Sequence, residues 1–302
     1  MNAVIYAPLA CAAAFAMAAG AVAQRSSPQR GAATLIAAAL TVAVAADIAL
    51  GVLVGARLID VAPLAALLGW GPERAAVIPV PVPVSAAAAA AILVAAAAAW
   101  ADWRATRTAL WRLRALHEDA ADGEMIVIRS SLAVAHALPA MGERPGRILV
   151  SDSMLRALGP AERSVLLAHE RSHLRHRHDR YRRLARAAAR INPLVRPVVG
   201  ATEFLLERWA DEDAARAVGS RRVAAEAIAR AALAGTNVGA RPRHAGFAVQ
   251  RVADRVDALL AATPQGRLVL LVPLIVALVA ALTGVAAVHE LLHLFDLLRG
   301  DG

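Results

Sequence analysis

Lysine is missing from this sequence: all 33 basic residues of the 302-residue chain are arginine. That excludes Schiff-base chemistry on a lysine amine, a phosphate-loop lysine and acylation driven by a Ser-x-x-Lys pair. Cysteine is nearly missing. Cys11, the one cysteine, excludes an internal disulfide and a cysteine-based zinc cluster. Aromatic residues make up 4% and charged residues 19%, whereas 59% are hydrophobic. Such an apolar composition makes residence in a membrane the first expectation.

What is present is long apolar runs. Residues 3–23 and 268–288 carry no charge, residues 33–56 carry only Asp47, and residues 84–101 are almost all Ala, Val, Ile and Leu. About 20 apolar residues in a helix cross a hydrocarbon core of roughly 30 Å, so four spans are expected. The resulting organisation is a membrane region over 1–103 with three spans, a polar domain over 104–267, and a fourth span with a short tail over 268–302. Arg25 and Arg30 lie between the first two spans, and Arg104, Arg107, Arg112 and Arg114 follow the third. The positive-inside rule then places the polar domain in the cytoplasm of a multi-pass cell-membrane protein. The N-terminus, the loop 57–83 (with Asp60, Glu73 and Arg74) and the C-terminal tail lie outside. A carboxyl group at Asp47, inside a span, is expected to face other helices or a wet cavity as a hydrogen-bonded structural group.

Residues 104–267 hold 28 arginines against 17 acids. Such charge beside an inner leaflet attracts anionic headgroups. No nucleic-acid-binding motif accompanies it, so the lipid bilayer is the expected partner and direct nucleic-acid contact is not. Short strands are expected at Met125–Arg129, Leu132–Ala137 and Arg147–Ser151. Gly159-Pro160 opens a helix expected to run from Ala161 to about Arg190, where Asn192-Pro193 breaks it. A second helix, about Leu194–Val218, is expected to stop at Gly219.

The first of these helices carries His169-Glu170-Arg-Ser-His173. Histidines at i and i+4 share one helix face, so both imidazoles can bind a single Zn²⁺. Glu170 lies beside them, where a general base for a metal-activated water is needed. A third ligand is required. Glu203, Glu207 and Asp211 recur at i, i+4 and i+8 on the second helix. Packed antiparallel through the Asn192-Pro193 break, that helix can supply one carboxylate to the metal and another to a histidine's free ring nitrogen. His176 and His178 read as polar residues among arginine-rich turns, and Asp179 lies too far up a straight helix to join the site. A second H-E-x-x-H, His289-Glu290-Leu-Leu-His293, falls at the outer end of the last span and reads as an interfacial cap.

These segments together resemble the BlaR/MecR-type membrane zinc metallopeptidases, with the HtpX and CAAX-prenyl-protease group as near neighbour. The resemblance is carried by Arg-Ile-Leu-Val-Ser at 147–151, Gly-Pro-Ala-Glu-Arg-Ser-Val-Leu-Leu-Ala-His-Glu-Arg-Ser-His at 159–173, Ile-Asn-Pro-Leu-Val at 191–195 and Glu-Arg-Trp-Ala-Asp at 207–211. It implies a mainly α fold: about four membrane helices plus a cytoplasmic zincin-like α+β domain with a small sheet and an HExxH helix. It further implies Glu207 as the third zinc ligand, Asp211 as the group orienting a ligand histidine, and Glu203 as the fallback. The implied partner is a cleaved protein such as a winged-helix repressor. Direct acylation by a β-lactam is not expected, since lysine is absent and about 14 residues follow the last span.

The expectation is an integral-membrane zinc endopeptidase acting on a protein or peptide. One Zn²⁺ is held by His169, His173 and Glu207, with Glu170 catalytic and Asp211 behind the ligands. The segment Leu132–Pro139 is expected to hold substrate as an added strand. Two rivals differ in chemistry. A membrane signalling protein with a structural or sensory metal site would not need Glu170, and a basic adaptor would bind no zinc.

Overall fold

The computed structural model describes residues 3–58, 63, 80–118, 123–140, 143–236, 252–261 and 266–299. Asp60, Glu73 and Arg74 of the expected outer loop lie outside the described residues. After a 3-10 turn at Ala3–Tyr6 come three long helices: α1 (Ala7–Arg25), α2 (Pro28–Leu58) and α3 (Val82–Glu118). A fourth long helix, α10 (Leu271–Arg299), ends the described chain. Four helical stretches are long and apolar enough to cross a membrane: Val4–Arg25, Pro28–Arg57, Val82–Thr108 and Leu268–His293. They coincide with the four runs in the sequence.

Helix α2 is the hub. It packs against α1, α3 and α10, and its alanines explain how: Ala32, Ala39, Ala43 and Ala46 are fully buried. Small side chains let helix backbones approach where no water drives association. Gly284 of α10 shows how close the approach is, because a Cβ there would sit 3.2 Å from the Ala45 methyl group.

The polar region opens with three strands, β1 (Met125–Ile128), β2 (Ala135–Leu138) and β3 (Arg147–Ser151), in spatial order β1-β3-β2. β1 runs parallel to β3 with Ile126 opposite Leu149, and β2 runs antiparallel to it with His136 opposite Leu149. Apolar Ile148, Leu149 and Val150 suit the buried central strand β3. β2 is therefore an edge. The Ser151 N–H donates to the Val134 carbonyl. By the alternation of an antiparallel ladder, His136 and Leu138 turn their backbone groups to β3, and Ala135 and Ala137 turn theirs to the free side.

Ser151 then caps α4 (Asp152–Ala157), its hydroxyl accepting from the Met154 N–H at 3.1 Å. α5 (Pro160–Arg175) starts at the expected Gly-Pro signal, with Glu162 reaching back to accept from the Gly159 N–H at 2.8 Å. The helix does not run on to Arg190 as expected. It ends at Arg175, Arg177 adopts a left-handed conformation (φ 53°), and α6 (His178–Ile191) starts in a new direction. A non-glycine residue there costs about 1 kcal/mol, so sequence propensity gives no warning of the break.

Asn192 ends α6, its N–H donating to the Ala188 carbonyl, and its side chain accepts from the Leu194 N–H to cap a 3-10 turn at Pro193–Val195 that leads into α7 (Pro197–Val218). α7 stops, as expected, at Gly219 with φ 71°. α8 (Arg221–Thr236) and a short helix α9 over residues 252–260 complete the polar region.

The hairpin of α6 and α7 lies along α2. Phe15, Leu35 and Val42 of the spans share one apolar core with Ala188, Val195, Val198 and Leu205 of the hairpin. Polar contacts pin the same junction. Asn192 Nδ2 donates to Asp47 Oδ1 at 2.9 Å, which gives Asp47 the buried partner expected of it. Buried Arg208 donates to the Ala23 carbonyl at 3.0 Å, where the end of α1 leaves carbonyls without helical partners.

Candidate metal centre

α5 presents His169 and His173 one turn apart, and α7 crosses it with Glu207. Single donor atoms of these three side chains all lie within 4.8 Å of one another. His169 Nε2 and His173 Nε2 face each other at 3.1 Å. Glu207 Oε2 is 3.4 Å from the first and Oε1 is 3.5 Å from the second. Among the described residues this is the one group of three or more His, Cys, Asp or Glu with the geometry to hold a metal ion.

Each ring is fixed from behind. Asp211 Oδ1 lies 2.9 Å from His169 Nδ1, and His178 Nδ1 lies 2.6 Å from His173 Nδ1. With each Nδ1 faced from behind, the Nε2 atoms are the ones left to converge. Two imidazole nitrogens and a carboxylate oxygen converging on one point form the donor set that suits Zn²⁺. The residues present therefore fit the metal that the motif implies.

Glu207 and Asp211 are held by arginines. Arg182 Nη2 donates to Glu207 Oε1 at 2.8 Å. Arg255 of α9 donates to both oxygens of Asp211, Nη2 to Oδ1 at 2.6 Å and Nε to Oδ2 at 2.8 Å, and its Nη1 is 3.2 Å from Glu207 Oε2. Glu203, the fallback ligand, is not in the cluster; it lies one turn earlier on α7 and faces Arg186 at 3.6 Å.

Burial and charge divide the titratable groups. Burial disfavours the His169 cation, but the Asp211 and Glu207 carboxylates outweigh it and push the ring up to about 10. Burial and the neighbouring His169 hold His173 down to about 2, and burial with Arg182 holds His178 down to about 3. Burial would raise Glu207 and Asp211, yet both sit below the usual carboxylate range, Glu207 because of His169 and Arg255, Asp211 because of Arg255 and His169. Glu170 is the exception. Burial lifts its carboxyl above that range, against the pull of His169, of His136 and of a hydrogen bond from the Ala137 N–H. A buried carboxyl with a raised pKa is suited to exchanging protons near neutral pH.

A cavity of about 440 Å³ opens over these groups. Its lining includes Glu170, His169, His173 and Glu207, the β2 edge from Ala135 to Ala137, the cations Arg182 and Arg255, and apolar Val165, Ile228 and Ala231. The residues sequence reading singled out are thus brought together: His169, Glu170, His173, Glu207 and Asp211. Those it missed are His178, Arg182 and Arg255. His178 reads in sequence as one more polar residue of an arginine-rich turn, but it is fully buried against Trp209 and bonded to His173. The break at Arg177 turns it back towards the site. Asp179, discounted on a straight helix, also stays out of the cluster after the break and pairs with Arg183 at 2.7 Å.

The second H-E-x-x-H assembles nothing comparable. On α10, His289 and His293 are exposed, and the described residues place no third ligand near them.

Residues 114–195 match the family model of peptidase family M48. The matched stretch contains the three-stranded sheet and the H-E-x-x-H helix and ends before Glu207. No curated protein and no solved structure matches the chain significantly.

Proposed function

We propose that this protein is a multi-pass membrane zinc endopeptidase that cleaves a protein substrate at the centre formed by α5 and α7. The observation that carries the reading is the convergence of His169, His173 and Glu207, each fixed from behind, beside a buried Glu170 and a free strand edge. The M48 match over 114–195 and the four apolar helices support it.

His169, His173 and Glu207 would hold the ion. When bound, it supplies a Lewis acid that polarises a carbonyl and acidifies water. Asp211 keeps the His169 proton on Nδ1, and His178 keeps His173 turned so that Nε2 faces the site. The Glu170 carboxylate takes a proton from the attacking water and gives it to the leaving amine. Ala135, through its outward N–H and C=O, and Ala137, through its C=O, offer an edge along which an extended peptide adds as a strand, while the Ala137 N–H is turned to Glu170. Arg182 and Arg255 hold Glu207 and balance its charge.

The arginines flanking the first and third spans favour a cytoplasmic site. The BlaR/MecR resemblance extends the reading to a regulatory protein, such as a repressor, as substrate.

The test is metal content of the detergent-purified protein together with cleavage of casein. Wild type and Glu170→Gln are expected to retain about one zinc, His169→Ala to lose it, and only wild type to cleave. Zinc retained with cleavage indifferent to Glu170→Gln would replace this reading by a sensory metal site. Zinc absent from wild type would leave a membrane adaptor.

A further inference from the structure

A second cavity of about 400 Å³ adjoins the first and shares Ala137, His173 and Arg182 with it. Its character is different. Arg177, Arg180, Arg182 and Arg183 line it, against a single carboxylate, Asp179. Two of the four cations are committed: Arg182 to Glu207 at 2.8 Å and Arg183 to Asp179 at 2.7 Å. That also uses up the carboxylate. Arg177 and Arg180 are exposed, and neither guanidinium has a side-chain partner among the described residues. Arg177 is the one non-glycine residue with positive φ among the described residues, so the backbone holds an unpaired cation beside the site at a conformational cost.

The strand edge sets the distance. β2 borders the catalytic cavity through Ala135, His136 and Ala137, and the chain just beyond its end borders the arginine cavity through Pro139 and Ala140. A strand advances about 3.3 Å per residue. A peptide laid along β2 with its scissile carbonyl at Glu170 therefore carries a side chain into the arginine cavity two or three residues away. Guanidinium forks match carboxylates in shape and charge.

We propose that this cavity is a specificity subsite for an acidic side chain, Asp or Glu, placed two or three residues to one side of the cleaved bond. The inference rests on the peptidase reading for its geometry, while the charge selectivity belongs to Arg177 and Arg180.

The test uses the full-length protein in detergent and fluorogenic peptides of one neutral sequence, with Asp, Ala or Arg substituted in turn at the four residues on each side of the cleaved bond. In wild type, Asp is expected to raise kcat/KM at least tenfold over Ala at one position, on one side only, and Arg to lower it. Arg180→Glu is expected to reverse that order. Arg177→Gly, which suits the left-handed backbone, is expected to shrink the Asp preference severalfold. The same peptides are titrated by fluorescence anisotropy against Glu170→Gln, in which the acidic peptide is expected to bind tighter than the Ala peptide. Cleavage with a flat profile, or an Asp preference untouched by both substitutions, would overturn the subsite and leave the peptidase reading standing. Acid-selective binding that Arg180→Glu abolishes, in a protein that cleaves none of the peptides, would keep the subsite and overturn the peptidase reading.

Discussion

Arg255 closes a two-pronged hydrogen bond on Asp211, with Nη2 2.6 Å from Oδ1 and Nε 2.8 Å from Oδ2, while Oδ1 also faces His169 Nδ1 at 2.9 Å. The carboxylate is buried almost completely. Arg255 therefore compensates a charge that has no access to water, and through it steadies a histidine of the candidate metal centre.

Removing that cation is expected to be costly. Arg255→Met leaves Asp211 charged and buried without its partner, a change of several kcal/mol when one member of a buried pair is lost. A fall in Tm of more than about 5 °C and a large loss of zinc on dialysis against a chelator are expected. Arg255→Lys restores charge but not the fork, and should lie between. Calorimetry in detergent and metal analysis read both.

Asp211→Asn and His178→Ala probe the two supports from the other end. Partners of ligand histidines are worth roughly 10–100-fold in metal affinity. Each substitution is expected to weaken zinc binding by that factor, measured by competition with a chromophoric chelator. Glu203→Gln, one turn away on the same helix, is expected to leave zinc affinity within about twofold.

The β2 edge makes a directional prediction. Ala135→Pro deletes an N–H that points away from the sheet, and Pro is tolerated on the free side of an edge strand. The protein is expected to fold and bind zinc but to lose peptide cleavage. His136→Pro deletes an N–H directed at β3 and should lower Tm as well. Unchanged cleavage by Ala135→Pro would remove strand addition from the mechanism.

The second H-E-x-x-H is expected to be silent. His289→Ala and Glu290→Gln should leave both zinc stoichiometry and casein cleavage unchanged, because those histidines are exposed and no third ligand lies near them among the described residues. A drop in bound zinc in either variant would reverse that view.

Much of this architecture was legible because the signals are local. The spans follow from uninterrupted apolar runs, α5 from Gly159-Pro160, the stop of α7 from Gly219, and the histidine pair from the pitch of a helix. What escaped is long-range or conformationally irregular. Arg177 is an ordinary arginine until its φ is known, so the turn that brings His178 behind His173 has no signature in the sequence. Arg255 lies 44 residues beyond Asp211, and Asn192 lies 145 residues beyond Asp47; periodicity within one helix is blind to both pairings. The carboxylate choice between Glu203 and Glu207 depended on how α7 crosses α5, which spacing alone leaves open by one turn.

The shared core of the spans and the α6–α7 hairpin has a consequence for how the molecule is made. Synthesis runs from the N-terminus, so α1 and α2 are complete well over a hundred residues before Val195, Val198 and Leu205 exist to pack on them. The membrane pair is then a template already in place, and the hairpin that carries Glu207 is cast against it. A fragment beginning at residue 104 would lack that mould. It is expected to leave the ribosome with the apolar side of its hairpin bare, to recover solubility only when residues 1–103 are co-expressed as a separate chain, and to acquire zinc only then.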